Sequence, residues 1–273
     1  MSSSQLADAY AALDAFEQSP HPGCWPHLDK ATLIAEMRSR LKNPFIINQR
    51  QQPFCGPASI LFELARKQPL RYVTMGQALY EQGTFQAKTE AVCATENLCR
   101  ASRDPLHMAQ ADWMMLAALR EAETLIFPVE PNAPTLIRNL AGMTKSWEMV
   151  GWVKEVLGYP QASYYHAYLF RDMKALKRAE SAIQRGGVAF ALVTAGGMLG
   201  SVAQKTRLAL PNHWVTLLST APVDVTPRWQ DMLSPGQGAA LELEYYTWGD
   251  RRSVTIQRSA FRRFFWGFVI GEP

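Results

Sequence analysis

A cysteine at the start of a predicted helix is the residue of this chain best suited to chemistry. Cys55 ends a polar, glutamine-rich loop and is followed at once by Gly56, Pro57 and an apolar run. Proline is tolerated in the first turn of a helix, so a helix is predicted to begin here. Backbone N–H groups and the helix dipole favour negative charge at that end. The sequence therefore predicts a thiol biased toward thiolate, the form that attacks carbonyl carbon.

A second candidate for the same chemistry lies in the preceding loop. Gln49 is six residues before the cysteine and could donate its side-chain N–H to a developing oxyanion. Gln51 and Gln52 share the loop, but Gln52 is too close in sequence to curl back and Gln51 is predicted to point the other way. A cysteine outside a disulfide is more often a buried structural residue. The flanking Gly56 and Pro57, which a core position does not need, favour the catalytic interpretation.

A thiol nucleophile needs a base, and the chain offers two histidines in strand-like sequence. His213 follows Pro211 and Asn212 and begins a predicted strand, and it is the favoured base. His166 lies in an aromatic cluster, residues 164–168, and is the alternative. The remaining histidines lie in predicted loops or turns and are interpreted as surface residues: His21, His27 and His107.

The group that would orient the base stays open at the level of sequence. Tyr246, Asp224 and Asp250 are the candidates, and the chain could also lack such a group. Trp248 could shield the imidazole from water, or it could be a core aromatic residue.

The elements that must position these residues change character along the chain. Helices are predicted at residues 3–18, 31–42, 73–82, 109–124, 144–157 and 172–185. Strands are predicted at residues 164–170, 188–194, 213–218, 241–248, 253–256 and 264–270. Helices first and strands last indicate an α+β fold with segregated elements. We expect one compact domain over residues 1–273, in which residues 1–45 form an added helical layer.

Composition bounds the class of protein. The chain has 273 residues, of which 48% are hydrophobic and 19% charged, which is typical of a globular domain. The net charge of +4 is spread along the chain, so a solvated basic face is predicted rather than a nucleic-acid partner. Four cysteines in a chain of this length favour a reducing compartment over a disulfide framework.

No secretory signal or membrane span is predicted, because the most apolar run, residues 188–203, is short and interrupted by glycines.

Together these residues resemble the papain-like cysteine peptidases. Gln49 is similar to the family's oxyanion glutamine, Cys55 to its nucleophile, and His213 to its strand-initiating base. The segment Thr247-Trp248-Gly249 resembles the end of the family's Asn-Ser-Trp-Gly segment. Two departures are visible: Phe54-Cys55-Gly56-Pro57 is closer to the bacterial double-glycine-leader peptidases, and Tyr246 stands at the family's Asn position. The resemblance implies an α+β fold with an N-terminal helical lobe that carries the nucleophile helix and a C-terminal antiparallel β-sheet lobe.

Four segments more closely resemble papain-like antibacterial toxins delivered by bacterial type VI secretion systems. They are residues 55–59, 111–114, 152–158 and 212–215. This resemblance implies a cysteine protease that needs no cofactor or metal, acts on a protein or peptide substrate in a target cell, and has a cognate immunity protein. It also implies a protein that stays in the producer's cytoplasm until the secretion machinery exports it without a signal peptide. The alternatives are a peptidoglycan amidase or glutamine deamidase of the same fold, and a catalytically silent binding module.

Overall fold

Two compact units make up the chain, Met1–Gly158 and Tyr159–Pro273. They are seen in a computed structural model, which describes residues 3–122, 144–167, 172–198, 210–222 and 240–273. The first unit contains the predicted nucleophile, and the second contains the predicted base.

The described part of the N-terminal unit is largely helical. Its helices are α1 Ser3–Gln18, α2 Lys30–Lys42, α3 Cys55–Lys67, α4 Pro69–Gln82, α5 Glu96–Ala101, α6 Gln110–Glu121 and α7 Ser146–Glu155, with a 3₁₀ turn at Pro44–Ile46. A short antiparallel hairpin, β1 Thr84–Gln86 and β2 Ala91–Cys93, follows α4. Helices α1 and α2 pack on each other, and they pack on α4 and α6 respectively.

Local signals account for where several of these helices begin and end. Asp29 caps α2, because its carboxylate accepts the backbone N–H of Thr32 at 2.8 Å. Helix α4 ends at Gly83, whose left-handed conformation (φ 68°) is the usual glycine stop. The sequence placed the start of α4 at residue 73, which was wrong. The helix begins at Pro69, since a proline in the first turn loses no intrahelical hydrogen bond.

Helix α3 forms the centre of the N-terminal unit. Every residue from Cys55 to Ala65 is buried, as predicted from apolar residues lying almost all round the helix. It packs against α4 and α6, so the position of Cys55 is fixed by a rigid, buried element.

The C-terminal unit is built on an antiparallel sheet. Its elements are β3 Gln161–His166, α8 Asp172–Gln184, β4 Val188–Val193, α9 Ala195–Met198, β5 His213–Pro222, β6 Ala240–Thr247, β7 Asp250–Gln257, α10 Arg258–Phe264 and β8 Phe265–Glu272. The strand order is β3-β8-β4-β5-β6-β7. The last strand of the chain is therefore inserted between β3 and β4, where it pairs with both.

Helix α8 covers one face of this sheet. Its apolar side buries Ala175, Leu176, Ala179 and Ala182 against residues of β4 and β8, while Lys174, Lys177 and Arg178 are exposed. Burying a leucine such as Leu176 stabilises the unit by about 1.5–3 kcal/mol. The small alanines let the helix lie close to the sheet.

The described elements confirm a mixed α+β architecture in which most helices precede the six-stranded sheet. The sequence did not predict α5, α9, α10 or the β1–β2 hairpin. Among the described residues, no helix combines the length and apolar character that crossing a bilayer requires.

Candidate functional site

Cys55 is the first residue of α3, where the sequence placed it. Its side chain is 5% exposed, and the residue before it, Phe54, occupies the N-cap without a side-chain cap. The Cys55 carbonyl accepts the hydroxyl of Ser59 at 2.9 Å, one turn along the helix. The thiol thus lies at the end of a helix where first-turn N–H groups lack intrahelical partners. This is the environment in which an anion or oxyanion is favoured.

Gly56, the residue after Cys55, is required because Thr144 approaches its backbone closely. A Cβ on Gly56 would lie 2.3 Å from Thr144 Oγ1 and 2.6 Å from Thr144 Cβ. Both distances are far inside van der Waals contact, so any other residue would displace Thr144. The sequence marked Gly56 as unusual beside a cysteine, and the structure gives a steric reason for it.

The glutamine-rich loop turns back on itself just before α3. Gln52 N–H donates to the Gln49 carbonyl at 3.0 Å, and the Gln49 side-chain Nε2 donates to the Gln52 carbonyl at 2.9 Å. Gln49 is buried, whereas Gln51 is exposed. A primary amide carries two N–H donors, so the bond to Gln52 uses one of them and fixes the direction of the other.

A buried ion pair anchors the start of this loop. Arg40 of α2 binds Asp112 of α6 in a bidentate contact, Nε to Oδ1 at 3.0 Å and Nη2 to Oδ2 at 2.9 Å. Asp112 also accepts the backbone N–H of Asn48, the residue before Gln49, at 3.0 Å. A carboxylate this deeply buried needs such partners. Asp112 therefore positions the loop that presents Gln49, a role that the sequence did not reveal.

A cavity of about 800 Å³ adjoins the same loop within the N-terminal unit. Its described lining consists of Arg50, Gln51, Gln52, His107, Met108 and Ala109. Arg50 (φ 53°) and His107 (φ 60°) both adopt the left-handed conformation that non-glycine residues rarely take. Such residues often mark functional positions.

In the C-terminal unit, His213 is the first residue of β5. It pairs with Val193 of β4, and the neighbouring Asn212 donates its N–H to the Val193 carbonyl at 3.1 Å. The Asn212 side chain in turn accepts the N–H of Ala195 at 2.8 Å. These bonds fix the point at which the strand begins, and so the direction of the His213 side chain.

The imidazole of His213 is held by Thr247, the last residue of β6, and by Trp248, which follows it. Its Nε2 lies 2.6 Å from Thr247 Oγ1, and its ring stacks on Trp248 with centroids 4.3 Å apart and planes inclined by 21°. Trp248 (φ 48°) and Gly249 (φ 74°) form the tight turn between β6 and β7. Positive φ at both central residues is the pattern of a type I′ hairpin turn, which matches the twist of the strands.

Burial lowers the pKa of His213 to about 3 from its ordinary 6.5. The side chain is therefore neutral over the physiological range, and the same desolvation weakens it as a proton acceptor. With Nε2 engaged by Thr247, the second ring nitrogen, Nδ1, is the one left for proton exchange.

The other candidates for the base and its orienting group fall elsewhere. His166 is exposed at the end of the edge strand β3, beside the Tyr164 ring. Tyr246 precedes Thr247 in β6 and so projects from the opposite face of the sheet. Asp250 is exposed and pairs with Arg252 at 3.3 Å, while Asp224 lies outside the described residues.

Thr247 is the residue that the sequence analysis missed. The sequence pointed to Tyr246, Asp224 and Asp250 instead, and Thr247 was predicted only as part of the Thr247-Trp248-Gly249 segment. No local signal could have found it, since Thr247 and His213 share a face only in the register in which β5 and β6 pair.

A comparison with protein-family models finds no match to this chain, and a comparison with curated proteins finds none either. Within the described residues, no group of three His, Cys, Asp or Glu side chains is arranged to hold a metal ion.

Proposed function

We propose that the chain is a papain-like cysteine hydrolase that cleaves amide bonds, with Cys55 as the nucleophile and His213 as the base. The observation that carries the proposal is the buried imidazole of His213, bound through Nε2 by Thr247 and stacked on Trp248. A catalytic base needs a third group that fixes its orientation, and this arrangement supplies one. Cys55 at the start of a buried helix, preceded by the buried Gln49, supports the same interpretation.

The proposed reaction gives each group a defined role. Cys55 Sγ attacks the carbonyl carbon while its proton passes to His213 Nδ1. The developing oxyanion is bound by Gln49 Nε2–H and the Cys55 backbone N–H. Collapse of the tetrahedral intermediate breaks the C–N bond, and His213 returns the proton to the leaving amine. Water, deprotonated by His213, then hydrolyses the thioester and restores the thiol.

Proteins of a bacterial target cell are the proposed substrates, and a cognate immunity protein is the proposed partner in the producer. This part rests on the resemblance of four sequence segments to type VI secretion toxins. Delivery by secretion machinery, without a signal peptide, belongs to the same proposal.

Two experiments test the proposal: covalent labelling of Cys55 in the native protein, and the toxicity of the protein when bacteria express it. We expect an epoxide or iodoacetamide probe to modify Cys55 in the native protein, and His213→Ala to slow that labelling strongly. Cys93 is the matched control, because its exposed thiol should react at the same rate in both proteins. Unchanged labelling of Cys55 in His213→Ala would reject the pairing of these two residues.

Expression in bacteria then tests whether the bond that is cleaved belongs to a protein or to the cell wall. We expect wild-type protein to be toxic in the cytoplasm, Cys55→Ala to be harmless, and proteomic comparison of the two to reveal cleaved proteins. Toxicity only after export to the periplasm would instead favour a cell-wall amide. Absence of both labelling and toxicity would favour a silent binding module.

A further inference from the structure

Three cations of α8 form a basic ridge on the surface of the C-terminal unit. Lys174, Lys177 and Arg178 are all exposed, and their spacing of three and four residues places them on one side of the helix. The ion pairs that the structure describes in this unit use other cations, namely Arg185, Arg251, Arg252 and Arg262. Like charges at helical spacing repel each other, so an anionic partner would be favoured on this ridge.

An open cavity of about 340 Å³ lies between the basic ridge and the end of β3. The Arg178 guanidinium lies over the Tyr165 ring, 4.6 Å from its centroid. This contact holds the cation in place without neutralising its charge. The cavity therefore combines aromatic surface with positive charge, and its described lining consists of Tyr164, Tyr165, His166, Lys174, Ala175 and Arg178.

A second open cavity, of about 480 Å³, adjoins the same ridge. Its described lining consists of Met173, Lys174, Lys177, Arg178 and Ser181, so Lys174 and Arg178 belong to both cavities. The surface of this second cavity is largely apolar, because Met173 and the aliphatic stems of the cations provide most of it. Each cavity thus places apolar surface directly beside the two shared cations.

This combination suits a peptide better than a nucleic acid. A nucleic-acid interface needs a denser run of cations that follows the phosphate backbone, whereas this ridge has three. The described lining of the second cavity contains no aromatic ring on which a base could stack. Methionine and aliphatic stems instead adapt well to the apolar side chains of a peptide.

We propose that the basic ridge and its two cavities bind an acidic peptide segment of a partner protein. The carboxylates of the segment contact Lys174, Lys177 and Arg178, and its apolar side chains pack in the cavities against Tyr165 and Met173. The surface uses none of the residues assigned to hydrolysis, so the proposal does not depend on that function.

The test measures peptide binding to full-length Cys55→Ala protein, which lacks the proposed nucleophile and so leaves the probe intact. The probe is a short fluorescein-labelled peptide of glutamate and leucine, followed by fluorescence anisotropy. We expect saturable binding, and we expect Lys174→Glu together with Arg178→Glu to weaken it about tenfold or more, because two attractive contacts become repulsive. Raising the salt concentration should also weaken binding to the basic ridge.

A matched control reverses the same number of charges outside the ridge. Lys154 and Arg258 are exposed, and they line neither cavity. Lys154→Glu together with Arg258→Glu changes the net charge equally, so this variant should bind the peptide nearly as tightly as the parent protein. Thermal unfolding checks that both double variants are folded, which is expected because every substituted side chain is exposed.

Two further probes identify the chemistry that is recognised. A glutamate–serine peptide keeps the charge but lacks apolar side chains, so it should bind more weakly, and a labelled single-stranded oligonucleotide should also bind more weakly. The proposal is overturned by no binding of the glutamate–leucine peptide, by equal loss of binding in the two double variants, by equal affinity for the two peptides, or by tighter binding of the oligonucleotide. All four outcomes are read as binding in a protein without Cys55, so they do not bear on the hydrolase proposal.

Discussion

His213 Nε2 lies 2.6 Å from Thr247 Oγ1. This contact joins the first residue of β5 to the last residue of the neighbouring strand β6. Both side chains are buried, with His213 5% and Thr247 2% exposed. If Nε2–H donates to the hydroxyl, the imidazole is locked in the tautomer whose Nδ1 accepts a proton. This contact gives the proposed base an orienting partner at the position that follows Tyr246.

Thr247→Val should therefore impair catalysis without unfolding the protein. The substitution keeps the shape of the side chain but removes the hydroxyl, so the imidazole loses its preferred tautomer and orientation. We expect kcat to fall about 10- to 100-fold with little change in KM, and Thr247→Ser to retain most of the activity.

A matched control exists on the adjacent strand. Thr216 is buried, and within the described residues its hydroxyl has no hydrogen-bond partner. Thr216→Val should leave kcat unchanged and should be neutral or stabilising by about 1 kcal/mol. Equal activity in Thr247→Val and Thr247→Ser would remove Thr247 from the proposed mechanism.

The pKa of His213 predicts how stability depends on pH. Because burial lowers this pKa to about 3 from 6.5, the unfolded chain binds a proton between these values that the folded chain does not. The free energy of unfolding should therefore fall as the pH drops from about 6.5 toward 3, with a slope from this residue of about 1.4 kcal/mol per pH unit.

Urea denaturation from pH 7 to pH 4 measures this slope. We expect His213→Gln to lose it, and His21→Gln, at an exposed histidine, to keep it. A wild-type slope that persists in His213→Gln would show that another group is responsible for the loss of stability in acid.

Gln49→Ala tests the proposed oxyanion donor. Loss of one such donor typically lowers kcat by about 10²–10³, and it should raise KM far less because the interaction is made in the transition state. Gln51→Ala should be nearly silent, since that side chain is exposed. Gln52→Ala should also be mild, because Gln49 bonds to the Gln52 backbone carbonyl, which the substitution keeps. Steady-state kinetics in which Gln52→Ala is the most damaged variant would reject this geometry.

Gly56→Ala should destabilise the N-terminal unit. Alanine favours a helix over glycine by about 1 kcal/mol, but overpacking against Thr144 costs about 1–3 kcal/mol, so the clash should dominate. Chemical denaturation measures the difference, and the cost should shrink in a Thr144→Gly background.

Gly151 of α7 supplies the control for this substitution. A Cβ there would have no neighbour within 4 Å, so Gly151→Ala should stabilise the protein by up to about 1 kcal/mol. If Gly56→Ala stabilised the protein as much as Gly151→Ala, the close contact with Thr144 would not constrain this position.

Local sequence patterns determined most of the described elements. The spacing of apolar residues predicted α1, the cap at Asp29 predicted α2, and Pro57 after a polar loop predicted that a helix begins at Cys55. Strand alternation predicted β6 and its end at a glycine turn. Each of these signals is carried by residues close together in the chain, where hydrogen bonding and side-chain periodicity are set by neighbours.

Tertiary structure alone decided which distant residues meet. The insertion of β8 between β3 and β4 and the hydrogen bond from the Asn48 backbone to Asp112 join segments far apart in sequence. Thr247 reaches His213 only because β5 and β6 pair in one register, and a shift by one residue would place the hydroxyl on the other face. Such pairings depend on how whole elements pack, and local sequence patterns do not determine them.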